Sequence, residues 1–134
     1  MSLDENKHLI LRLFEEVINN NRTELLDQIF LPSSPIAASF QDSVSLVRTA
    51  FPDARVTIDH LVAEDDQVVV VFTLAGMHSG PFMGQPSSGQ SILFTGMHYY
   101  RIRNGRIYTA RYEHDLLGLL EQLGMMPPGS RPDI

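Results

Sequence analysis

Ser91-Ile92-Leu93-Phe94-Thr95-Gly96-Met97-His98-Tyr99-Tyr100-Arg101-Ile102-Arg103, then Asn104-Gly105, then Arg106-Ile107-Tyr108-Thr109-Ala110-Arg111-Tyr112-Glu113-His114: this stretch decides the fold. β-Branched and aromatic residues flank an Asn-Gly pair, which supplies two consecutive positive-φ residues with little strain. The reading is two long antiparallel strands closed by a tight hairpin. Upstream, Val68 to Met77 is β-branched and nearly all apolar, the pattern of a strand covered on both faces. Gly76 to Gly89, rich in Gly, Pro and Ser, is the long connection that joins it to the hairpin. Further upstream, Arg55 to Val62 alternates, with Val56 and Ile58 on one face and Arg55, Thr57 and Asp59 on the other; Glu64-Asp65-Asp66 is the polar turn after it. The expected sheet is an antiparallel meander of four strands.

Before Pro52 the apolar period is helical. Leu9, Ile10, Leu13, Phe14, Val17 and Ile18 form one face of an amphipathic helix that Asn19-Asn20-Asn21 ends. Thr23 reads as the N-cap of a short second helix carrying Leu25, Leu26, Ile29 and Phe30. Leu31-Pro32-Ser33-Ser34-Pro35 breaks it, and Asp42 or Ser43 is the expected cap of a third helix that Pro52 closes. After the hairpin, Asp115 caps a last helix with Leu116, Leu117, Leu119, Leu120 and Leu123, stopped by Gly124. Helices, then a meander, then a helix make an α+β chain. Residues 1–124 read as one domain, and 125–134 as a Pro-rich tail ordered only where it docks.

Ten Lys and Arg against sixteen Asp and Glu give a formal charge of −6, with no basic face to meet a polyanion, so nucleic acid is not an expected partner. The apolar runs are too short to span a bilayer, so no membrane partner is expected either. Cysteine is absent, which excludes disulfides, thiolate catalysis and Cys-type zinc sites. Asp4, Glu5 and Lys7 follow Met1 where a signal peptide would have its apolar core, so the expected location is cytoplasmic. The sheet is apolar on both faces. One face covers the helices, and the other most simply meets a second copy of itself, giving an expected homodimer through the outer sheet face.

Five words of sequence carry a family resemblance: Phe51-Pro52-Asp53; Val62-Ala63-Glu64-Asp65-Asp66-Gln67-Val68; Gly76-Met77-His78-Ser79-Gly80-Pro81-Phe82-Met83-Gly84, continued by Pro86 and Gly89; Arg101-Ile102-Arg103-Asn104-Gly105-Arg106-Ile107; and Leu116-Leu117-Gly118-Leu119-Leu120-Glu121-Gln122-Leu123-Gly124. With them the chain resembles the SnoaL-like polyketide cyclases of the nuclear transport factor 2-like superfamily. The resemblance implies a cystatin-like cone: three N-terminal helices packed on a curved antiparallel sheet around a mostly apolar cavity, with a short C-terminal helix. It also implies acid–base chemistry without a cofactor, in which a polyketide ester closes a ring by intramolecular aldol condensation. In such cyclases a carboxylate on the last strand acts as acid or base, with a His on the preceding strand. His98 falls where that His is expected. The last-strand Trp-Asp pair is replaced here by Arg111 and Tyr112, while an Asp before the terminal helix is kept as Asp115. The polar pair that relatives carry after the second helix is replaced by Pro35-Ile36-Ala37-Ala38.

The candidate catalytic residues are therefore His98, Tyr112 and Asp115. Neutral His98 has a reference pKa near working pH and suits a base. The Tyr112 hydroxyl suits a donor to a substrate carbonyl and to the enolate formed from it. The alternative is that both are wall residues of a curved sheet, with their polar tips satisfied locally. Asp115 is either an acid–base residue at the cavity mouth or only the cap of the last helix. Candidate substrate-binding residues are His78 in the Gly-rich loop, Phe82, Met83, Phe94 and His60. His78 has the alternative of a purely structural bond to the loop backbone. His60, sharing a face with Val56 and Ile58, is either a core histidine or a remote cavity residue. The five histidines never approach metal-motif spacing, so no metal is expected. The expected partner is a hydrophobic small-molecule substrate. A non-catalytic small-molecule binder and a dimeric interaction module remain alternatives of the same fold.

Overall fold

In the computed structural model, which describes residues 2–127 and 129, helix α1 (Leu3–Arg12) starts from a capping box. The Ser2 hydroxyl accepts from the Glu5 backbone N–H, and the Glu5 carboxylate accepts from the Ser2 backbone N–H. The helix runs on into a π-helical segment, Leu13–Asn19. At its end the Asn19 carboxamide exchanges two hydrogen bonds with the Val56 backbone, at 3.1 and 2.7 Å, and so pins the first strand to the helix. Thr23 does not cap a helix: it opens a 3₁₀ turn (Thr23–Leu25) that widens into α2 (Leu26–Ile29). Helix α3 (Pro35–Ala50) begins well before Asp42, because Pro35 sits in its first turn, where no N–H is needed, and Ser34 caps it through the Ile36 N–H. The Leu31–Pro35 segment does separate α2 from α3, and its second proline also opens the helix that follows.

Strands β1 (Arg55–Glu64), β2 (Gln67–Met77), β3 (Ser91–Arg103) and β4 (Arg106–His114) form one antiparallel sheet in sequence order, as the meander reading requires. Asn104 and Gly105, at φ 52° and 76°, make the tight turn between β3 and β4. The chain closes with α4 (Leu116–Gln122). Val68, Val70, Phe72 and Leu74 of β2 and Ile92, His98, Tyr100 and Ile102 of β3 are buried on the inner face, under the helices. The core divides in two. A large cluster joins Ile10, Phe14, Phe30 and Phe40 to Val70, Phe72 and Tyr100, and a smaller one joins Phe51, Phe82 and Leu119 to Leu74 and Ile92. On the outer face Val62, Leu93 and Met97 stand 61, 61 and 55 % exposed. Among the described residues no helix is long and apolar enough to cross a membrane. Of the Pro-rich tail, Met125 donates its N–H to the Leu120 carbonyl, and residues 128 and 130–134 lie outside the described residues.

β1 departs from simple alternation. Ile58 pairs with Phe72 and His60 with Val71, leaving Asp59 as an extra residue. Such a bulge rotates everything after it to the opposite face. His60 is accordingly exposed beside outward-facing Val71, and not on the face of Val56 and Ile58.

Candidate active site

Strand pleating places His98 and Tyr100 of β3, and Tyr112 and His114 of β4, on one face. His98 pairs across the strands with Tyr112, and Gly96 pairs with His114. A Cβ at Gly96 would stand 2.6 Å from His114 Cδ2 and 2.7 Å from Phe72 Cζ. Glycine there makes room for the His114 ring, which lies diagonal to His98. The His98 Nε2 and His114 Nε2 atoms are 2.9 Å apart, and His98 Nδ1 lies 2.7 Å from the Tyr100 hydroxyl.

His98 is 6 % exposed and packed among rings: Phe72 edge-on at 4.9 Å, Tyr112 at 4.4 Å and Phe14 at 5.7 Å between centroids. Burial disfavours its charged form, and a charge on His114 would disfavour it further, so its pKa falls to about 3. His98 is thus a neutral imidazole at any ordinary pH, better suited to donate a hydrogen bond than to hold a proton. His114 is exposed at the open end of the strand. Partial burial lowers its pKa, with Glu113 opposing. It is the member of the pair that solvent reaches.

The two imidazoles border a cavity of about 80 Å³ between the sheet and α3. Phe72, Leu74 and Phe94 form its sheet side, and Phe40, Val44 and Val47 its helix side, at the seam between the two core clusters. Ser43 and Arg48 also line it, and among the described residues no Asp or Glu does. The Arg48 guanidinium is held by backbone carbonyls, donating to Ile18, Asn19 (2.8 Å) and Ala54 (3.1 Å). It ties α3 to the π-helical segment and to the entry of β1.

Of the other expected site residues, Phe94 lines this cavity, its ring 5.2 Å from His114. Tyr112 stands beside His98 without lining the cavity; its hydroxyl is buried with no hydrogen-bond partner among the described residues, and burial raises its pKa to about 12. Asp115 caps α4, accepting from the Gly118 N–H at 3.0 Å. His78 is buried elsewhere, its Nδ1 accepting from the Ser88 N–H at 3.1 Å and its ring 5.7 Å from Phe51. Phe82 is core, 5.8 Å from Phe51, and Met83 is exposed on the loop surface. These three belong to the smaller core cluster and its loop because the Gly-rich connection folds back over Phe51. Among the described residues no group of three or more His, Asp or Glu is arranged to hold a metal. His114 and Tyr100 were absent from the sequence-based set, although each lies two residues from a member of it, on the same strand face.

A family model, the SnoaL-like polyketide cyclase, matches residues 8–123. The chain belongs to the SnoaL-like polyketide cyclase family. Among solved structures it is similar to TsrD from Streptomyces laurentii, with 25 % identity, a TM-score of 0.84, and coverage of 94 % of this chain and 99 % of that one. A proposed polyketide cyclase from Acidithiobacillus ferrooxidans shares 26 % identity at a TM-score of 0.78, over 92 and 98 % of the two chains. AclR, a proposed hydroxylase from Streptomyces galilaeus, shares 23 % at a TM-score of 0.86, over 98 and 87 %, a likeness of fold alone. A search of the curated proteins gave no match. At the last-strand position where the resemblance leads one to expect an Asp stands Tyr112, and His114, two positions on, lies 2.9 Å from His98.

Proposed function

We propose that this SnoaL-like protein is a cofactor-independent acid–base enzyme of the cyclase type. Its substrate is a hydrophobic carbonyl compound, and its reaction is intramolecular aldol condensation or a related isomerisation. The observation that carries this reading is the His98–His114 pair at the edge of an apolar cavity. His98, held neutral, donates a hydrogen bond to the carbonyl oxygen and to the enolate that develops from it. His114 accepts the proton from the adjacent carbon and returns it to solvent or product. The cavity is well below the roughly 300–1,000 Å³ of pockets that enclose a whole ligand. Only the reacting end of a substrate enters, and the remainder lies along α3 near Ser43 and Val47.

The test is α-proton exchange. Hydrophobic β-keto esters are incubated with the protein in D₂O, and deuterium uptake and ring closure are followed by mass spectrometry. Protein-dependent uptake supports the enzyme reading. Saturable binding of the same esters, recovered without deuterium, replaces it with the binder reading, which the lack of a carboxylate in the cavity favours.

The apolar outer sheet face around Val62, Leu93 and Met97 supports a homodimer related by a two-fold axis.

A further inference from the structure

We infer that Tyr100 is a positioning residue: its hydroxyl decides which nitrogen of His98 carries the proton, making His98 a donor toward the cavity side and leaving the lone pair on His114 Nε2. The inference rests on the proposed function for its catalytic consequence, but not for the proton arrangement itself.

The Tyr100 side chain is fully buried, and His98 Nδ1 at 2.7 Å is its one hydrogen-bond partner among the described residues. Two arrangements of protons fit the heavy-atom distances. In the first, the Tyr100 O–H donates to His98 Nδ1, His98 Nε2–H donates to His114 Nε2, and the remaining N–H of neutral His114 is at Nδ1. In the second, His114 Nε2–H donates to His98 Nε2 and His98 Nδ1–H donates to the Tyr100 oxygen. The Tyr100 proton then has nothing to bond.

A buried donor without an acceptor bears its full desolvation cost, whereas an acceptor with a spare lone pair bears little. The first arrangement therefore prevails. Among the described residues the Tyr100 hydroxyl has no acceptor other than His98 Nδ1. A doubly protonated His98 would donate to both neighbours but leave the Tyr100 proton without an acceptor, and it is opposed by burial.

The consequence concerns ligand chemistry. The site offers an N–H from His98 and a lone pair from His114 at almost one point, which suits a carbonyl with an acidic neighbouring C–H. On entry, the carbonyl oxygen takes the His98 Nε2–H bond and frees His114 Nε2. The C–H bond then breaks, its proton goes to His114 Nε2, and the electron pair moves to the oxygen as an enolate bonded to His98.

The experiment is long-range ¹H–¹⁵N correlation spectroscopy on the ¹⁵N-histidine-labelled full chain near neutral pH, with His98→Gln identifying the His98 signals. The expected wild-type spectrum has a pyridine-like His98 Nδ1 and a pyrrole-like Nε2. In Tyr100→Phe, those shifts move toward the Nδ1–H form or average. A wild-type His98 protonated at Nδ1, or a folded Tyr100→Phe with unchanged shifts, overturns the inference. If Tyr100→Phe does not fold, the wild-type spectrum still decides the proton arrangement. Predicted shifts in a protein that exchanges no substrate protons would leave the inference standing and remove the proposed reaction.

Discussion

His98 and His114, sixteen positions apart in sequence, meet Nε2 to Nε2 at 2.9 Å across β3 and β4. They are diagonal neighbours rather than direct partners, so their contact depends on what lies between them. What lies there is Gly96, opposite His114. The pair couples a histidine shut inside an aromatic core to one that reaches solvent, which makes each a separate experimental handle.

Removing the solvent-side partner separates chemistry from stability. His114→Gln is expected to lower α-proton exchange about a hundredfold or more, the usual worth of a positioned acid–base group, with little loss of melting temperature because His114 is exposed. A variant that exchanges as fast as the native protein removes His114 from the reaction.

Filling the gap between the rings attacks geometry instead. In Gly96→Ala the new methyl meets both His114 and buried Phe72. The exposed imidazole swings away and Phe72 shifts, at a stability cost of about 1–3 kcal/mol. Exchange activity is expected to fall as far as in His114→Gln. Full activity together with a native melting curve would refute the packing argument.

The neutral state of His98 has a pH signature. Its pKa falls from 6.5 to about 3 on folding, so between those values the unfolded chain binds the extra proton. Stability contributed by this group is complete above about pH 6.5 and declines as pH falls toward 3, by on the order of 5 kcal/mol in total. Chemical denaturation at steps from pH 7 to pH 4 should show the loss, and His98→Phe should flatten it. An equal slope in both proteins means that other groups drive the acid sensitivity.

Asp115 is expected to matter to the helix and not to turnover. Asp115→Ala removes the bond to the Gly118 N–H and should cost about 1 kcal/mol, while Asp115→Asn keeps the cap. Activity lost in both variants would return Asp115 to the catalytic set.

On the outer face, Met97→Glu places a charge in the middle of the exposed apolar patch. Sedimentation should show a dimer for the native chain and a monomer for the variant, with exchange activity retained per chain. A native protein that sediments as a monomer at micromolar concentration sinks the dimer.

Much of the architecture is legible in the sequence. The Asn104-Gly105 turn, the period-2 strands on either side and the leucine-rich terminal helix are local signals, and each formed where its residues indicate. The start of α3 escapes the local pattern because Pro35 suits a first helical turn as well as a break. The candidate site was only partly legible. His98 and Tyr112 follow from the family resemblance and stand side by side, while His98 and Phe94 line the cavity. His60 was lost to a bulge at Asp59 that alternation cannot reveal, and His78, Phe82 and Met83 to the fold-back of a long loop.

The sequence by itself determined the element types, their order, the antiparallel pairing and the inner face of each unbroken strand, because these follow from near-neighbour sterics and the alternation of side chains. Only the tertiary structure decided that His114 reaches His98 across Gly96 and that Tyr100 has no other hydrogen-bond partner among the described residues. Those outcomes depend on side chains from separate strands and helices competing for the same few ångströms of buried space. A one-dimensional pattern does not contain that competition.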